Sequence, residues 1–310
     1  MLSSTSSSSA PQRAGARAAL TGFAAMFVAA CVLMAVASEW LLRTQVQPQD
    51  TQAAHVLLLS TDARTDVSFG DSHVARGFDA RDGFVNLAYP SESIDDIAAK
   101  IELYFEARDP GRVILQADPH MFAPYRLRAA PKLYAPPPDV LLTSTRHRPR
   151  MLAYWEAFLR DGGQLKSKVR ITEAGALLSG GNLAEVAPRR RVLEARSRRN
   201  WHRIDHPVRV KPAQKRYAQM LDDLKARGAD VCLVSLPVSS YYTDEVASVG
   251  HPEMMTFFAG EARRTGARMV DMRNDVSDLS LFRDVDHLNA EGAMSFASTI
   301  LDRCFGVTEG

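Results

Sequence analysis

The chain has 310 residues, of which 46% are hydrophobic and 24% are charged, and its formal net charge is +2. This composition is that of an ordinary globular protein, and it excludes a chain that is disordered throughout. So small a net charge gives no support for a general nucleic-acid binder. The length suits one sizeable α/β domain together with an anchor and an insertion.

The three cysteines, Cys31, Cys232 and Cys304, lie far apart and form no CxxC pair. This spacing argues against a zinc site, and no metal is predicted. Each cysteine lies in an apolar run or near the end of a predicted helix, which favours buried thiols. A Cys232–Cys304 disulfide is the alternative if the domain lies outside the cytoplasm.

The N-terminal region contains a long apolar run, since residues 18–37 carry no charged side chain. A helix rises about 1.5 Å per residue, so this run can cross a hydrocarbon core of about 30 Å. Arg13 and Arg17 precede it and favour a cytoplasmic N-terminus, and Trp40 suits the far interface. A signal peptide cut after Ala37 is the competing interpretation, and both place the rest of the chain outside the cytoplasm.

The predicted domain division follows from this run and from the polar segment behind it. It comprises a cytoplasmic N-terminus at 1–17, a transmembrane anchor at 18–38, a linker at 39–54 and one α/β domain at 55–310.

Beyond the linker, short apolar runs alternate with amphipathic stretches. The runs predict strands at 66–70, 83–88, 112–117, 230–236 and 267–272, and helical periodicity marks 94–108 and 213–227. Strands that alternate with helices pair in parallel through right-handed crossovers. We therefore predict a three-layer α/β/α sandwich with a mainly parallel five-stranded sheet.

A long insertion at about 121–212 interrupts this alternation. It contains a proline-rich piece at 131–138, a helical segment near 151–160 and a glycine-rich turn at 180–181. Insertions of this length in compact domains are commonly functional lids or binding loops, so a cap beside the active site is predicted.

In an open parallel sheet, functional residues commonly lie near the carboxyl ends of the strands. Two polar motifs of this chain are candidates for such positions. Gly70-Asp71-Ser72-His73 follows the first predicted strand, and its glycine permits a sharp turn that exposes the serine hydroxyl. Ser72 alone could equally be a helix N-cap. His73 is predicted to cap or pack beside Ser72 and not to act as the base.

The second motif, Asp284-Val285-Asp286-His287, precedes the last predicted helix, at 290–305. A carboxylate three residues ahead of a histidine can orient the imidazole while its ring deprotonates a serine. Asp286 is the weaker candidate for this carboxylate because it is adjacent to His287.

Together, Gly70-Asp71-Ser72 and Asp284-x-x-His287 resemble the motifs of the SGNH (GDSL-like) hydrolase superfamily, and the resemblance extends over residues 66–305. It implies an SGNH/flavodoxin-like fold with Ser72 as nucleophile, His287 as base, Asp284 as its carboxylate, and no metal or organic cofactor.

The resemblance also suggests where an oxyanion would bind. Family members use the serine N–H, a glycine after the second strand and an asparagine after the third. Here Ser91 occupies the glycine position, and the third block, Gln116 to His120, contains no asparagine. Ser72, Ser91 and His120 are therefore the predicted oxyanion donors.

The chain combines GDSH, D-x-D-H-L-N and an anchor. In this combination it resembles bacterial envelope proteins that modify polysaccharides, such as the SGNH domains of O-antigen acetyltransferases and the D-alanyl-transfer protein of teichoic acid synthesis. The resemblance implies an esterase or O-acyltransferase, with acetyl as the expected acyl group, acting through an acyl-serine on an envelope polysaccharide or another acylated carbohydrate. It also implies a single-pass inner-membrane protein with a periplasmic catalytic domain, and a membrane protein as acyl donor.

Two alternatives remain open. The missing asparagine favours a catalytically inactive SGNH domain that binds glycan or acts as a scaffold in polysaccharide export. An ordinary esterase or lipase acting on small or lipid substrates is the other.

Seven arginines crowd the segment 189–203, together with Trp201 and His202. A solvated helix face or flexible loop explains such a run, but guanidinium groups beside an aromatic ring also suit an acidic polysaccharide or anionic lipid headgroups. Arg199, Trp201 and Arg203 are the predicted substrate contacts. Nucleic acid is not a predicted partner outside the cytoplasm.

Overall fold

The computed structural model describes residues 10–46, 49–127, 150–165, 169–204 and 207–306. The chain divides into two compact units, Met1–Asp50 with Pro138–Lys166, and Thr51–Pro137 with Ser167–Gly310. The proline-rich piece predicted at 131–138 lies outside the described residues. The domain boundaries predicted from the sequence remain a prediction.

The described elements are listed here in chain order. The helices are α1 (Ala10–Leu41), α2 (Thr51–Thr61), α3 (Ser72–Gly77), α4 (Ile94–Tyr104), α5 (Pro124–Leu127), α6 (Met151–Arg160), α7 (Pro188–His202), α8 (Pro207–Ala226), α9 (Ser240–Val246), α10 (His251–Thr265) and α11 (Ala290–Phe305). The strands are β1 (Val67–Phe69), β2 (Val85–Asn86), β3 (Arg112–Gln116), β4 (Val169–Ile171), β5 (Leu177–Ser179), β6 (Asp230–Ser235) and β7 (Arg268–Asp271).

The first unit contains α1, which continues into a π-helical turn at Leu42–Val46. By length and composition, Leu20–Val46 is apolar enough to cross a membrane, and the side chains of its apolar window are exposed. The sequence therefore predicts the position of this helix correctly but not its end. The predicted linker is helical over most of its length, because α1, the π-helical turn and α2 cover 39–46 and 51–54.

Helix α6 belongs to this same unit. The indole Nε1 of Trp155 donates to Ser38 Oγ at 3.1 Å, and the rings of Phe158 and Trp40 meet edge to face at 6.0 Å. The helix predicted near 151–160 is thus present, but it lies in the unit of α1 and not in the unit that contains the sheet.

The second unit contains a five-stranded sheet in the order β2-β1-β3-β6-β7, with every pairing parallel. All five predicted strands are present, each slightly shorter than its predicted range. The predicted α/β sandwich with a mainly parallel sheet is confirmed.

Alternating side chains place a core on each face of this sheet. On β3, Val113 and Leu115 join the cluster that includes α4, α8 and α10, whereas Ile114 joins the cluster that includes α3 and α11. This period of two is what a strand buried on both faces requires. The result is the three-layer arrangement predicted from the sequence.

A disulfide joins Cys232 of β6 to Cys304 of α11, with a Cα–Cα distance of 5.5 Å. The prediction of buried thiols is therefore wrong for this pair, and the alternative holds. The geometric reason is that β6 and α11 pack in one core, which brings two residues 72 positions apart into contact. Cys31 is exposed on α1, where the sequence predicted burial.

Candidate active site

The loop that carries Ser72 is formed where β1 ends. A Cβ atom at Gly70 would collide with the side chain of Gln116, so only glycine fits between β1 and β3. Asp71 then caps α3 by accepting a hydrogen bond from His73 N at 3.0 Å. Ser72 is therefore the first helical residue and not the N-cap, which leaves its hydroxyl available for other contacts.

The loop before α11 brings a histidine and a carboxylate to Ser72. His287 Nε2 lies 2.9 Å from Ser72 Oγ, and His287 Nδ1 lies 2.8 Å from Asp284 Oδ1. A backbone bridge between Phe282 and Leu288 closes this loop. The geometry is that of a serine, base and carboxylate array, formed by the three residues predicted from the sequence.

A second carboxylate, that of Asp286, contacts the same histidine. Asp286 is 1% exposed, and its Oδ1 lies 3.3 Å from His287 Nδ1. Burial alone would lower the pKa of His287, but the charge of Asp286 and the hydrogen bond with Asp284 raise it to about 9. Both carboxylate candidates, Asp284 and Asp286, therefore contact His287.

Arg198 connects α7 to this array. Its Nε lies 3.0 Å from Asp286 Oδ1, and its side chain is about two-thirds shielded, with 35% relative exposure. Burial opposes the charge of Arg198, but Asp286 and Asp284 raise its pKa above the usual value. The sequence shows Arg198 as part of the basic run, and nothing in its spacing indicates that this arginine contacts Asp286 beside His287.

Beneath Ser72, the buried carboxylate of Asp71 collects several donors. Its Oδ2 lies 2.8 Å from His120 Nε2 and 2.5 Å from Arg126 Nη2, and its Oδ1 accepts from Gln116 Nε2 at 2.9 Å. Burial would raise the pKa of Asp71, but His120 and Arg126 hold it well below the usual value. This network fixes the loop that positions the serine.

His73 lies between two further carboxylates. Its Nδ1 is 3.1 Å from Asp118 Oδ2, and its Nε2 is 3.8 Å from Asp286 Oδ2. Burial would lower the pKa of His73, but Asp118 and Asp286 raise it to about 10. The sequence predicted that His73 caps or packs beside Ser72. In the structure it also makes ionic contacts with Asp118 and Asp286.

The position of Ser91 fits the glycine position inferred from the sequence. Its φ of 66° is in the left-handed region, which favours glycine. The backbone N–H of Tyr89, two residues earlier, donates to Gly70 O at 3.1 Å, so this loop is attached directly to the loop of Ser72. A backbone N–H at Ser91 remains the predicted oxyanion donor.

His120 is placed differently from its predicted role. It is 1% exposed, its Nε2 contacts Asp71, and its ring stacks on His202 with centroids 4.9 Å apart. A side chain buried in this way supports the loop of Ser72 from below, and this arrangement does not present it to a substrate.

A buried ion pair holds the Ser91 loop. Lys100 and Glu92 are 0% and 1% exposed and pair with each other, while Lys100 Nζ donates to Leu87 O at 2.5 Å and Tyr89 N donates to Glu92 at 3.3 Å. Both ends of the loop thus depend on this pair.

Replacing Lys100 with methionine is expected to lower the free energy of unfolding by about 3–5 kcal/mol, because it leaves a buried carboxylate without its cation. Urea denaturation followed by circular dichroism measures this change. The double variant Lys100→Met with Glu92→Gln removes both charges and should recover part of the loss. A Lys100→Met loss below about 1 kcal/mol would contradict this assignment.

The predicted substrate contacts lie on and just beyond the C-terminal part of α7. Arg199 faces Glu245 at 3.9 Å, Trp201 is 63% exposed, and Arg203 is exposed. Trp201 reaches the buried network through rings, since it meets Tyr125 at 5.9 Å and Tyr125 stacks on His202 at 5.8 Å. Their role in substrate binding remains a prediction.

Two groups of side chains in the described residues have ligand-type atoms within 4.8 Å of one another, and both contain His73. They are His73, Asp118 and His120, and His73, Asp286 and His287. In both groups the ring nitrogens of His73 face carboxylates, Asp118 at Nδ1 and Asp286 at Nε2.

The fold and site together define an α/β protein with a serine, histidine and aspartate array at the carboxyl edge of a parallel sheet. No protein-family model matches the chain, and no curated protein matches it. Among solved structures, the chain is similar to one described as "a putative platelet activating factor from Streptococcus pneumonia", at 12% identity and a TM-score of 0.42. The alignment covers 89% of this chain and 99% of that one. So low a similarity carries no argument about function.

Proposed function

We propose that this protein is a serine-dependent esterase or O-acyltransferase of the SGNH type, with Ser72 as nucleophile. The observation that carries the proposal is the continuous contact from Ser72 Oγ to His287 Nε2 at 2.9 Å and from His287 Nδ1 to Asp284 Oδ1 at 2.8 Å. A histidine that contacts a serine on one nitrogen and a carboxylate on the other is arranged to accept the serine proton.

The reaction follows from these contacts. Ser72 Oγ forms a bond to the acyl carbonyl carbon while His287 Nε2 takes the hydroxyl proton. The backbone N–H groups of Ser72 and Ser91 donate to the oxyanion, and Asp284 and Asp286 stabilise the imidazolium. The alcohol then leaves with the proton from His287. The oxygen of water or of an acceptor hydroxyl then bonds to the acyl carbon while His287 takes its proton. The bond between the acyl carbon and Ser72 Oγ breaks, His287 returns the proton to Oγ, and the acid or the new ester leaves.

We further propose a single-pass protein of the inner membrane with its catalytic unit in the periplasm. The apolar helix Leu20–Val46 supports an anchor, and Arg13 and Arg17 support a cytoplasmic N-terminus. The disulfide between Cys232 and Cys304 supports an oxidising compartment for the sheet-containing unit.

The proposed substrate is an acylated polysaccharide of the cell envelope, with a membrane protein as acyl donor when the reaction is a transfer. The basic helix α7 supports this substrate, because Arg198 lies at the triad while Arg199, Trp201 and Arg203 are exposed nearby in the chain. Guanidinium groups bind carboxylates or phosphates, and an exposed indole offers a flat apolar face to a sugar ring.

The acyl-serine intermediate can be detected directly. Intact protein in detergent micelles is mixed with p-nitrophenyl acetate, quenched in acid and examined by mass spectrometry. We expect an added acetyl group on the peptide that contains Ser72, and none in Ser72→Ala. If folded wild-type protein is never acylated by this ester, the inactive glycan-binding alternative, which the missing third-block asparagine favours, takes precedence.

Trp201→Ala is expected to raise KM for an acetylated acidic polysaccharide about tenfold with little change in kcat, because about 1.4 kcal/mol of binding is lost equally from the ground state and the transition state. The matched control is Arg263→Ala on the exposed surface of α10, which should leave both parameters unchanged. An unchanged KM in Trp201→Ala would remove Trp201 from the site. Equal turnover of a phospholipid ester would favour a lipase instead.

A further inference from the structure

His73 is a buried ionisable group beside Ser72 that the proposed reaction does not use. It is 4% exposed, and carboxylates from two other parts of the fold meet its ring nitrogens. Asp118 follows β3 and lies 3.1 Å from Nδ1, while Asp286 precedes α11 and lies 3.8 Å from Nε2. The Asp118 contact is within hydrogen-bond distance, and Asp286 adds a second negative charge at ion-pair distance on the opposite side of the ring. Two carboxylates at opposite ring nitrogens favour the imidazolium, which carries an N–H on each nitrogen.

The contacts continue from Asp286 to the base of the triad. Asp286 presents Oδ2 to His73 and Oδ1 to His287 Nδ1, which lies 3.3 Å away. The rings of His73 and His287 meet edge to face with their centroids 5.0 Å apart. One buried carboxylate thus joins two histidines, of which only His287 contacts Ser72.

The other charged and titratable groups around His73 are consistent with this arrangement. Asp71 lies on its own loop, and the ring of His120 is tilted by 40° against the His73 ring with centroids 4.2 Å apart. Arg198 of α7 contacts Asp286 Oδ1, the oxygen that also faces His287. Burial lowers the pKa of His120, so the neighbouring ring is not a second cation at neutral pH. The neighbouring charges are therefore those of His73, Arg126 and Arg198, which face the carboxylates of Asp71, Asp118 and Asp286.

We propose that His73, as an imidazolium, is a positioning residue that holds Asp286 against His287 and sets the basicity of the triad histidine. The proposal rests on the proposed function only for its catalytic consequence. His73 keeps its protons throughout the cycle, since its role is electrostatic and no bond to it forms or breaks. Asp286 supports the charged form of His287 that arises when Ser72 attacks.

This arrangement predicts opposite effects for two conservative substitutions. Asp286→Asn removes a negative charge from His287 and should lower its pKa by about one unit or more. His73→Gln keeps a side-chain N–H that can hold Asp286 in place but removes a positive charge 5.0 Å away by ring centroids, and so should raise the pKa of His287. A residue that merely packs would leave this pKa unchanged when replaced by glutamine.

The test is a titration of the histidine ring nitrogens by NMR. Intact protein in detergent micelles is labelled with ¹⁵N-histidine, and the His73 and His287 signals are assigned from the single variants. We expect His73 to remain doubly protonated from pH 6 to pH 8, and the titration of His287 to shift upward in His73→Gln and downward in Asp286→Asn. A neutral His73 at pH 7 in wild-type protein overturns the proposal even if the variant fails to fold.

An unchanged His287 titration in folded His73→Gln also overturns it. Because these signals are read without substrate, failure of the proposed function gives a different pattern. In that case the titration of His287 would still shift in His73→Gln and in Asp286→Asn, while Ser72 shows no reactivity.

Discussion

Replacing Ser72 with alanine is expected to lower kcat for acetyl ester hydrolysis by about 10³-fold to 10⁶-fold, since the array loses the atom that forms the acyl bond. The fold should remain intact because Asp71, and not Ser72, caps α3. Steady-state rates with p-nitrophenyl acetate measure the loss, and urea denaturation should show a stability change within about 0.5 kcal/mol.

Ser60→Ala, at an exposed serine of α2, is the matched control and should keep the wild-type rate. A Ser72→Ala protein that retains a tenth or more of wild-type activity would show that another residue performs the reaction.

The rate of the wild-type enzyme is expected to rise about tenfold per pH unit and to level off near pH 9. Only neutral His287 can accept the serine proton, and Asp286 and Asp284 raise its pKa to about 9 against the effect of burial. The rate at pH 9 should therefore exceed that at pH 7 by well over tenfold. A profile of kcat/KM against pH measures this rise. If the rate instead levels off near pH 6.5, the usual pKa of histidine, the raised pKa of His287 is contradicted.

The same contacts have an opposite effect on stability. The folded pKa of His287 lies above its unfolded value, so its contribution is fully present below about pH 6.5 and is lost as pH rises through about 9. His73, whose pKa is raised to about 10, adds a loss in the same direction at slightly higher pH. We therefore expect activity to increase over a range in which the free energy of unfolding falls.

The sheet could be predicted from the sequence because its strands are short apolar runs separated by amphipathic helices. All five runs form strands, and the last helix covers 290–305 as predicted. The hairpin of β4 and β5 was not predicted, since each of its strands has only three residues and the alternation at Val169–Ile171 is too short to mark a strand. The continuation of helix through the predicted linker was missed because its polar residues are typical of linkers.

The residues of the candidate triad could be predicted because two short motifs carry them. Arg198, Arg126 and Gln116 could not, since each reaches the site from another element and sequence spacing says nothing about that approach. Ser91 is an intermediate case. The resemblance suggested its position, and only the backbone shows the left-handed conformation that a glycine would adopt without strain.

The central claim is that Ser72 is an activated nucleophile, and labelling with a fluorophosphonate serine probe tests it most directly. Intact wild-type protein, Ser72→Ala and His287→Ala are treated in parallel in detergent micelles. The contacts of Ser72 with His287 predict labelling of wild type alone. Folded wild-type protein that remains unlabelled, or Ser72→Ala that is labelled as strongly as wild type, would contradict the claim.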